Sequence, residues 1–173
     1  MPLRNGVPHG TPGCLRDWAR ECCSLTTYRC RWKSGKIVCG MWQTEIERQH
    51  VGVEGRRFSA ADLHELAALS VEEEDEALRA VYAFLAEWFS PASTVEVQTS
   101  GSTGVPKRMR VEKERMMRSA VRTCEFLGLR PGDTALLCMD LKYIGAKMMV
   151  VRALVAGLHL WVRRPSGHPL ADM

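Results

Sequence analysis

Residues 99–107 combine hydroxyl groups, glycines and an ammonium group in one short stretch. A loop of this composition exposes backbone N–H and O–H donors beside a positive charge, and such donors suit a polyphosphate. The alternative is an ordinary polar hairpin loop, in which Gly and Ser are common. The complete pattern favours phosphate binding, and it consists of Thr99, Ser100, Gly101, Ser102, Thr103, Gly104 and Lys107.

The segments on either side of this loop are predicted to be strands. Residues 94–98 alternate between polar and apolar side chains, and residues 109–111 resume a strand-like pattern. The P-loop of the common nucleotide hydrolases has four residues between its glycines and opens a helix. Here two residues separate the glycines, and Pro106 directs the chain toward extended geometry. The sequence therefore predicts a strand–loop–strand phosphate site rather than a P-loop.

The pattern Thr-Ser-Gly-Ser-Thr-Gly-x-Pro-Lys resembles the phosphate-binding signature of the adenylate-forming superfamily, which includes acyl- and aryl-CoA synthetases. These enzymes activate a carboxylate with ATP as an acyl-adenylate and then transfer the acyl group to a thiol. Residues 58–172 further resemble the start of a short bacterial o-succinylbenzoate–CoA ligase of menaquinone biosynthesis. The stretches that carry this resemblance are residues 83–91, 99–107, 128–139 and 141–157.

The resemblance implies roles for two groups of residues. Residues 99–104 would bind the phosphates of ATP, and Lys107 would act catalytically by supplying positive charge to the departing pyrophosphate. Lys142, Tyr143 and Gly145 follow an apolar strand, where open α/β sheets place ligands, and would help form the aryl-acid pocket. Lys142 would pair with a substrate carboxylate, and the alternative is an exposed residue at a helix start. The family's usual His before the Gly is missing here, which argues against a generic fatty-acid substrate.

The same resemblance implies ATP, Mg²⁺ and CoA as substrates and cofactor of the whole enzyme, and an aryl carboxylic acid as the molecule that is activated. It assigns no metal ligand in this chain, and no nucleic-acid or membrane partner. The superfamily places its adenine- and ribose-binding motifs, its metal-linked acidic residue and its catalytic C-terminal lysine downstream of these residues. We therefore expect an incomplete fragment that is inactive alone.

Strands and helices alternate along the second part of the chain, which predicts an α/β fold with a largely parallel sheet. By resemblance, this is the N-terminal portion of the large domain of adenylate-forming enzymes. The pattern predicts buried packing positions for Cys124 and Cys138 and solvated positions for Lys147 and Arg152. The predicted helices are residues 59–69, 72–89, 112–127 and 143–156, and the later strands are residues 134–139 and 158–162.

The beginning of the chain has a different composition. Residues 1–57 contain 10 Lys or Arg against 5 Asp or Glu, and five of the seven cysteines. No Cys-x-x-Cys spacing is present, which argues against a zinc site. We expect residues 1–52 to be a poorly ordered or non-native extension, produced by a start codon assigned too far upstream. Residues 53–173 are expected to form a truncated AMP-binding domain.

Two other classes of protein stay open. The basic N-terminal arm could bind nucleic acid, or the chain could be a nucleotide-binding module without catalysis. Hydrophobic residues make up 46% of the chain and charged residues 25%, which are ordinary values for a globular protein. No apolar run reaches the roughly 18 residues of a spanning helix, and the N-terminus lacks the apolar stretch of an export signal. These observations predict a cytoplasmic protein.

Overall fold

A computed structural model describes residues 29–33, 36–40, 42–99 and 106–166, and of the first two ranges only the backbone is described. The chain divides into two compact units, Met1–Met41 and Trp42–Met173. In the first unit, β1 (Arg29–Lys33) pairs antiparallel with β2 (Lys36–Gly40). The sequence pattern predicts no strand or helix in this part of the chain, so the hairpin of β1 and β2 is not among the predicted elements.

The second unit alternates strands and helices. In chain order its elements are β3 (His50–Val53), β4 (Arg56–Ser59), α1 (Leu63–Glu72), α2 (Glu76–Phe89), β5 (Thr94–Gln98), β6 (Arg108–Glu112), α3 (Lys113–Leu127), β7 (Thr134–Leu137), α4 (Ile144–Ala156) and β8 (His159–Val162). Four strands form one sheet in the order β4-β3-β8-β7, in which β3, β8 and β7 are parallel and β4 is antiparallel. The predicted α/β fold with a largely parallel sheet is confirmed.

The central strand β3 precedes the first element that the sequence predicts, which is the helix of residues 59–69. It is joined to β4 by Glu54 and Gly55, whose φ angles of 48° and 79° are the left-handed values that a two-residue hairpin turn requires. The second unit also starts ahead of the predicted residue 53, because the Gln43 N–H donates to the Val155 carbonyl at 2.8 Å. Residues 42–52 therefore pack with the α/β unit.

Two strands of this sheet approach each other closely at one glycine. Gly52 of β3 lies opposite His159 of β8. A Cβ atom at Gly52 would lie 2.1 Å from His159 Nδ1, which is far inside any permitted contact. The absence of a side chain at Gly52 therefore makes room for the imidazole beside β3.

Helices α3 and α4 lie close to their predicted bounds, whereas α1 begins at Leu63 and ends at Glu72 where residues 59–69 are predicted, and a short 3-10 helix, Ala60–Asp62, precedes it. The start of α2 also differs from the prediction. This helix begins at Glu76 rather than at Glu72, because the Asp75 carboxylate caps it by accepting the N–H groups of Ala77 and Leu78 at 2.8 and 3.1 Å. Glu72 instead ends α1. Helices α3 and α4 end at glycines 128 and 157 in the left-handed conformation, as the sequence predicts.

The core of the second unit contains one buried polar network. Gln49 is fully buried, and its Nε2 donates to the Gln43 carbonyl at 2.7 Å and to the Met117 sulfur at 3.2 Å. Its Oε1 accepts the indole N–H of Trp88 at 2.7 Å. Since a buried amide without partners is costly, these bonds fix the start of β3 against α2 and α3.

The two cysteines of the second unit differ in burial. Cys124 is buried in the core, as predicted, whereas Cys138 is half-buried just after β7. Burial raises the pKa of the Cys124 thiol, which keeps it in the unreactive protonated form. Within the described ranges, no helix has the length and apolar character needed to cross a membrane.

The substitution Trp88→Phe tests the buried network. It keeps an aromatic ring but removes the only indole donor to Gln49 Oε1 seen among the described residues. We expect the free energy of unfolding to fall by about 1–3 kcal/mol, because an acceptor is left buried without a donor. The matched control, Trp161→Phe at a ring that is 40% exposed, should change it by less than about 0.5 kcal/mol. Urea unfolding followed by circular dichroism measures both, and equal losses would contradict the assignment.

Candidate functional site

The predicted phosphate loop connects the two strands of a separate hairpin. Strand β5 pairs antiparallel with β6, and the last rung joins Gln98 to Arg108. Beyond it, the Thr99 N–H donates to the Lys107 carbonyl at 3.1 Å, and the Lys107 N–H donates to Thr99 Oγ1 at 3.3 Å. Thr99 is half-buried and Lys107 is exposed. The other predicted phosphate-binding residues, Ser100, Gly101, Ser102, Thr103 and Gly104, lie outside the described residues.

The outer edge of β5 is held by side chains of two helices. Glu96 lies in the middle of this strand, and its N–H donates to Glu87 Oε1 of α2 at 3.0 Å. Its carbonyl accepts a hydrogen bond from Lys147 Nζ of α4 at 2.7 Å, and Lys147 Nζ also lies 3.4 Å from Glu87 Oε2. Glu87 and Lys147 therefore take the place of a neighbouring strand, and we call these three residues the β5 clamp.

Lys147 is less exposed than the sequence predicts. Only 13% of its side chain is accessible, and its ammonium lies 5.0 Å from the centroid of the Phe84 ring. The solvated position expected for Lys147 is therefore wrong, because its side chain crosses from α4 to the backbone of β5. Arg152 is also half-buried, and its Nε is buried without a hydrogen-bond partner within the described parts of the chain.

The open end of the hairpin is anchored by Lys113, the first residue of α3. Its side chain is buried, and its ammonium donates to the Ser90 carbonyl at 2.8 Å. Its backbone N–H donates to the Ser93 carbonyl at 2.9 Å, just before β5 begins. Burial lowers the pKa of Lys113, and the nearby Glu87 carboxylate opposes that change. The open end of the hairpin is thus tied to the end of α2.

The predicted acid-binding residues lie in a turn after β7. The Asp140 carbonyl accepts the Tyr143 N–H at 3.1 Å, and Asp140 Oδ1 accepts the Lys142 N–H at 2.9 Å. Asp140 Oδ2 lies 2.5 Å from Lys142 Nζ, which in turn lies 5.0 Å from the centroid of the Tyr143 ring. We call residues 140–143 the acid turn.

The charges of the acid turn stabilise each other. The hydrogen bond and negative charge of Asp140 raise the pKa of Lys142 above its ordinary value. Partial burial by itself raises the pKa of Asp140, but the hydrogen bonds and charge of Lys142 outweigh burial and bring that pKa below its usual value. Both groups are therefore charged near neutral pH.

A single backbone bridge joins the acid turn to the base of the loop. Gln98, the last residue of β5, forms a parallel bridge with Tyr143. The next residue after Gln98 is Thr99, where the predicted phosphate loop begins. The structure thus places Thr99, the first residue of the predicted phosphate loop, close to Tyr143 of the acid turn, near the carboxyl ends of β5 and β7.

Gly145 lies in the first turn of α4, close to the acid turn. It is exposed, and a Cβ atom added there would have no neighbour within 4 Å. A glycine at such a position costs roughly 0.5–1 kcal/mol relative to Ala. Packing among the described residues therefore does not account for Gly145, whereas a ligand that approaches the helix backbone would.

Three residues that position the candidate site are not found by the sequence argument. Asp140 has a recognisable signal, because an Asp two residues before Lys142 suits a turn after a strand. Glu87 and Lys147 have no such signal, since α2 and α4 bring them together only in the folded structure. Within the described ranges, no group of three or more His, Cys, Asp or Glu side chains could hold a metal ion.

Of three comparisons with known proteins, the comparison with solved structures supports the α/β fold. No protein-family model matches the chain, and no curated protein matches it. A crystal structure from Dyadobacter fermentans, described as an acyl-CoA synthetase (AMP-forming)/AMP-acid ligase II-like protein, matches with a TM-score of 0.54 and 35% sequence identity. The match covers 58% of this chain and 29% of that one. The chain is therefore similar, in fold and in sequence, to less than a third of an AMP-forming acyl-CoA synthetase-like protein.

The β5 clamp can be tested by Lys147→Met. This substitution keeps the length and apolar body of the side chain but leaves the Glu96 carbonyl and the Glu87 carboxylate without their cation. We expect the free energy of unfolding to fall by about 1–3 kcal/mol. In Arg118→Met, an exposed ion pair with Glu114 is lost instead, and a change of less than about 0.5 kcal/mol is expected. Chemical unfolding of both variants measures the difference, and an undiminished stability of Lys147→Met would refute the clamp.

Proposed function

We propose that the chain belongs to an ATP-dependent ligase that activates a carboxylic acid as an acyl-adenylate and then forms a thioester with CoA. The observation that carries this proposal is the bridge between Gln98 and Tyr143, which puts the base of a phosphate-type loop beside a cationic turn. The reaction needs these two sites to be adjacent, because the acid carboxylate attacks the α-phosphate of ATP. The 35% identity to an AMP-forming acyl-CoA synthetase-like protein supports the same activity.

In this proposal the loop binds the phosphates of ATP through residues 99–104. Their hydroxyl groups and backbone N–H groups donate to the β- and γ-phosphates, and Lys107 supplies charge to the departing pyrophosphate. The exposed position of Lys107 just before the start of β6 is compatible with this role. Mg²⁺ would accompany the nucleotide. The described residues supply no group of three or more metal-ligating side chains for it.

The acid in this proposal is o-succinylbenzoate, and the pathway is menaquinone biosynthesis. Lys142 meets a carboxylate of the acid, Tyr143 offers its ring, and Gly145 allows the acid to approach the start of α4. The exposed ammonium of Lys142 and the open space at Gly145 support these assignments. The resemblance of residues 141–157 to such ligases supports the choice of acid.

Lys107→Ala tests the catalytic assignment. Exchange of labelled pyrophosphate into ATP, started by the acid, measures adenylate formation in the complete ligase to which we assign this chain. We expect the exchange rate to fall by about 10²–10³-fold, because a charge aimed at the leaving group is lost. Arg110→Ala removes a neighbouring exposed cation of β6 and should leave the rate unchanged.

Three results separate the possible outcomes of this experiment. Equal rates in wild type and Lys107→Ala would exclude Lys107 from the reaction. ATP binding by the complete wild-type protein without any acid-dependent exchange would indicate a nucleotide-binding module instead of a ligase. Salt-sensitive binding of nucleic acid that disappears on deletion of residues 1–57 would favour the basic arm.

A further inference from the structure

The Lys142 ammonium, which the proposed function assigns to the acid, is already in contact with another carboxylate. Asp140 Oδ2 lies 2.5 Å from Lys142 Nζ, and Asp140 Oδ1 holds the Lys142 backbone N–H. The pair is open to solvent, because 55% of the Lys142 side chain and 40% of the Asp140 side chain are exposed. A ligand can therefore reach the ammonium while Asp140 holds it.

A second carboxylate on the same ammonium must lie close to Asp140. Hydrogen bonds to one nitrogen place the two acceptor oxygens within about 5 Å of each other. Negative charges at that separation repel, weakly in bulk water and several times more strongly near a protein surface. An exposed ion pair contributes little by itself, so an incoming carboxylate can displace Asp140. The affinity that Lys142 contributes is consequently reduced by Asp140.

We propose that Asp140 is a positioning residue that sets acid specificity through Lys142: it is the counter-ion that the second carboxylate of an aryl dicarboxylic acid must displace. An acid without that carboxylate does not compete with Asp140 and gains nothing from its removal. The proposal rests on the proposed function, because it takes Lys142 as the group that meets the acid.

Asp140→Asn separates the charge of Asp140 from its place in the turn. The amide oxygen of Asn still accepts the Lys142 N–H, while the negative charge is gone. Calorimetric titration of the full chain uses o-succinylbenzoate and 3-benzoylpropionate, which is the same acid without the ring carboxylate. We expect Asp140→Asn to tighten binding of o-succinylbenzoate by about 3- to 30-fold and to leave binding of 3-benzoylpropionate unchanged.

Two further variants provide the controls. Asp133→Asn removes the same charge from the turn before β7, where Asp133 Oδ2 accepts the Arg130 N–H at 2.7 Å, and it should alter neither affinity. Adding Asp140→Asn to Lys142→Met should bring no gain, because Asp140 acts through Lys142. A purely structural effect of Asp140 would instead change the affinity for both acids alike.

The ion pair can be measured without any ligand. Lys142→Met should raise the pKa of Asp140, followed by NMR titration of the carboxyl group, because the side-chain hydrogen bond and the charge of Lys142 are removed while its backbone N–H still donates to Asp140. Weaker binding of o-succinylbenzoate by Asp140→Asn, or equal tightening of both acids, would overturn the proposal and leave the proposed function standing. Unchanged binding of o-succinylbenzoate by Lys142→Met would instead remove Lys142 from the acid site, and the proposal with it.

Discussion

The hairpin of β5 and β6 depends on the side chains that complete the outer edge of β5. A two-stranded hairpin is marginally stable alone, and an open strand edge leaves N–H and C=O groups unpaired. The β5 clamp supplies one acceptor and one donor to these groups from two different helices. The position of β5 is therefore set by the packing of α2 and α4.

The acid turn is attached to the same outer edge of β5, which faces away from β6. It follows β7 of the main sheet, and its bridge to Gln98 reaches the separate hairpin. The hairpin of β5 and β6 and the four-stranded sheet thus meet near the carboxyl ends of β5 and β7. This geometry makes neighbours of Gln98 and Tyr143, which are far apart in the sequence.

The sequence predicts local structure well where a single residue decides it. The bounds of β5 follow from strict alternation, and the ends of α3 and α4 follow from Gly128 and Gly157. Prediction from sequence fails where the residue that decides the structure is distant along the chain, or where several neighbouring residues could play the same part. The acidic run before α2 permits several starts, and Asp75 is the one that caps. The turn at Glu54 and Gly55 lacks the Asn or Asp that usually marks such a hairpin.

The same distinction applies to the residues of the candidate site. Residue types and spacing predict a phosphate loop and a cationic turn, because hydroxyls, glycines and lysines are visible in the chain itself. The side chains that hold the site in position cannot be predicted from residue type and spacing, because a lysine on an amphipathic helix is usually solvated. Lys147 and Lys113 are exceptions, and each donates to a backbone carbonyl that no strand covers. Only the packed fold shows that those carbonyls need a donor.

The close approach of β3 and β8 at Gly52 has a consequence for variation among related chains. The space above Gly52 is filled by the His159 imidazole, and a methyl group there would overlap it. Any larger residue at position 52 therefore requires the side chain at position 159 to leave its place, while a small residue at 159 would free position 52. The two positions should change together in an alignment, as a covarying pair across a parallel register.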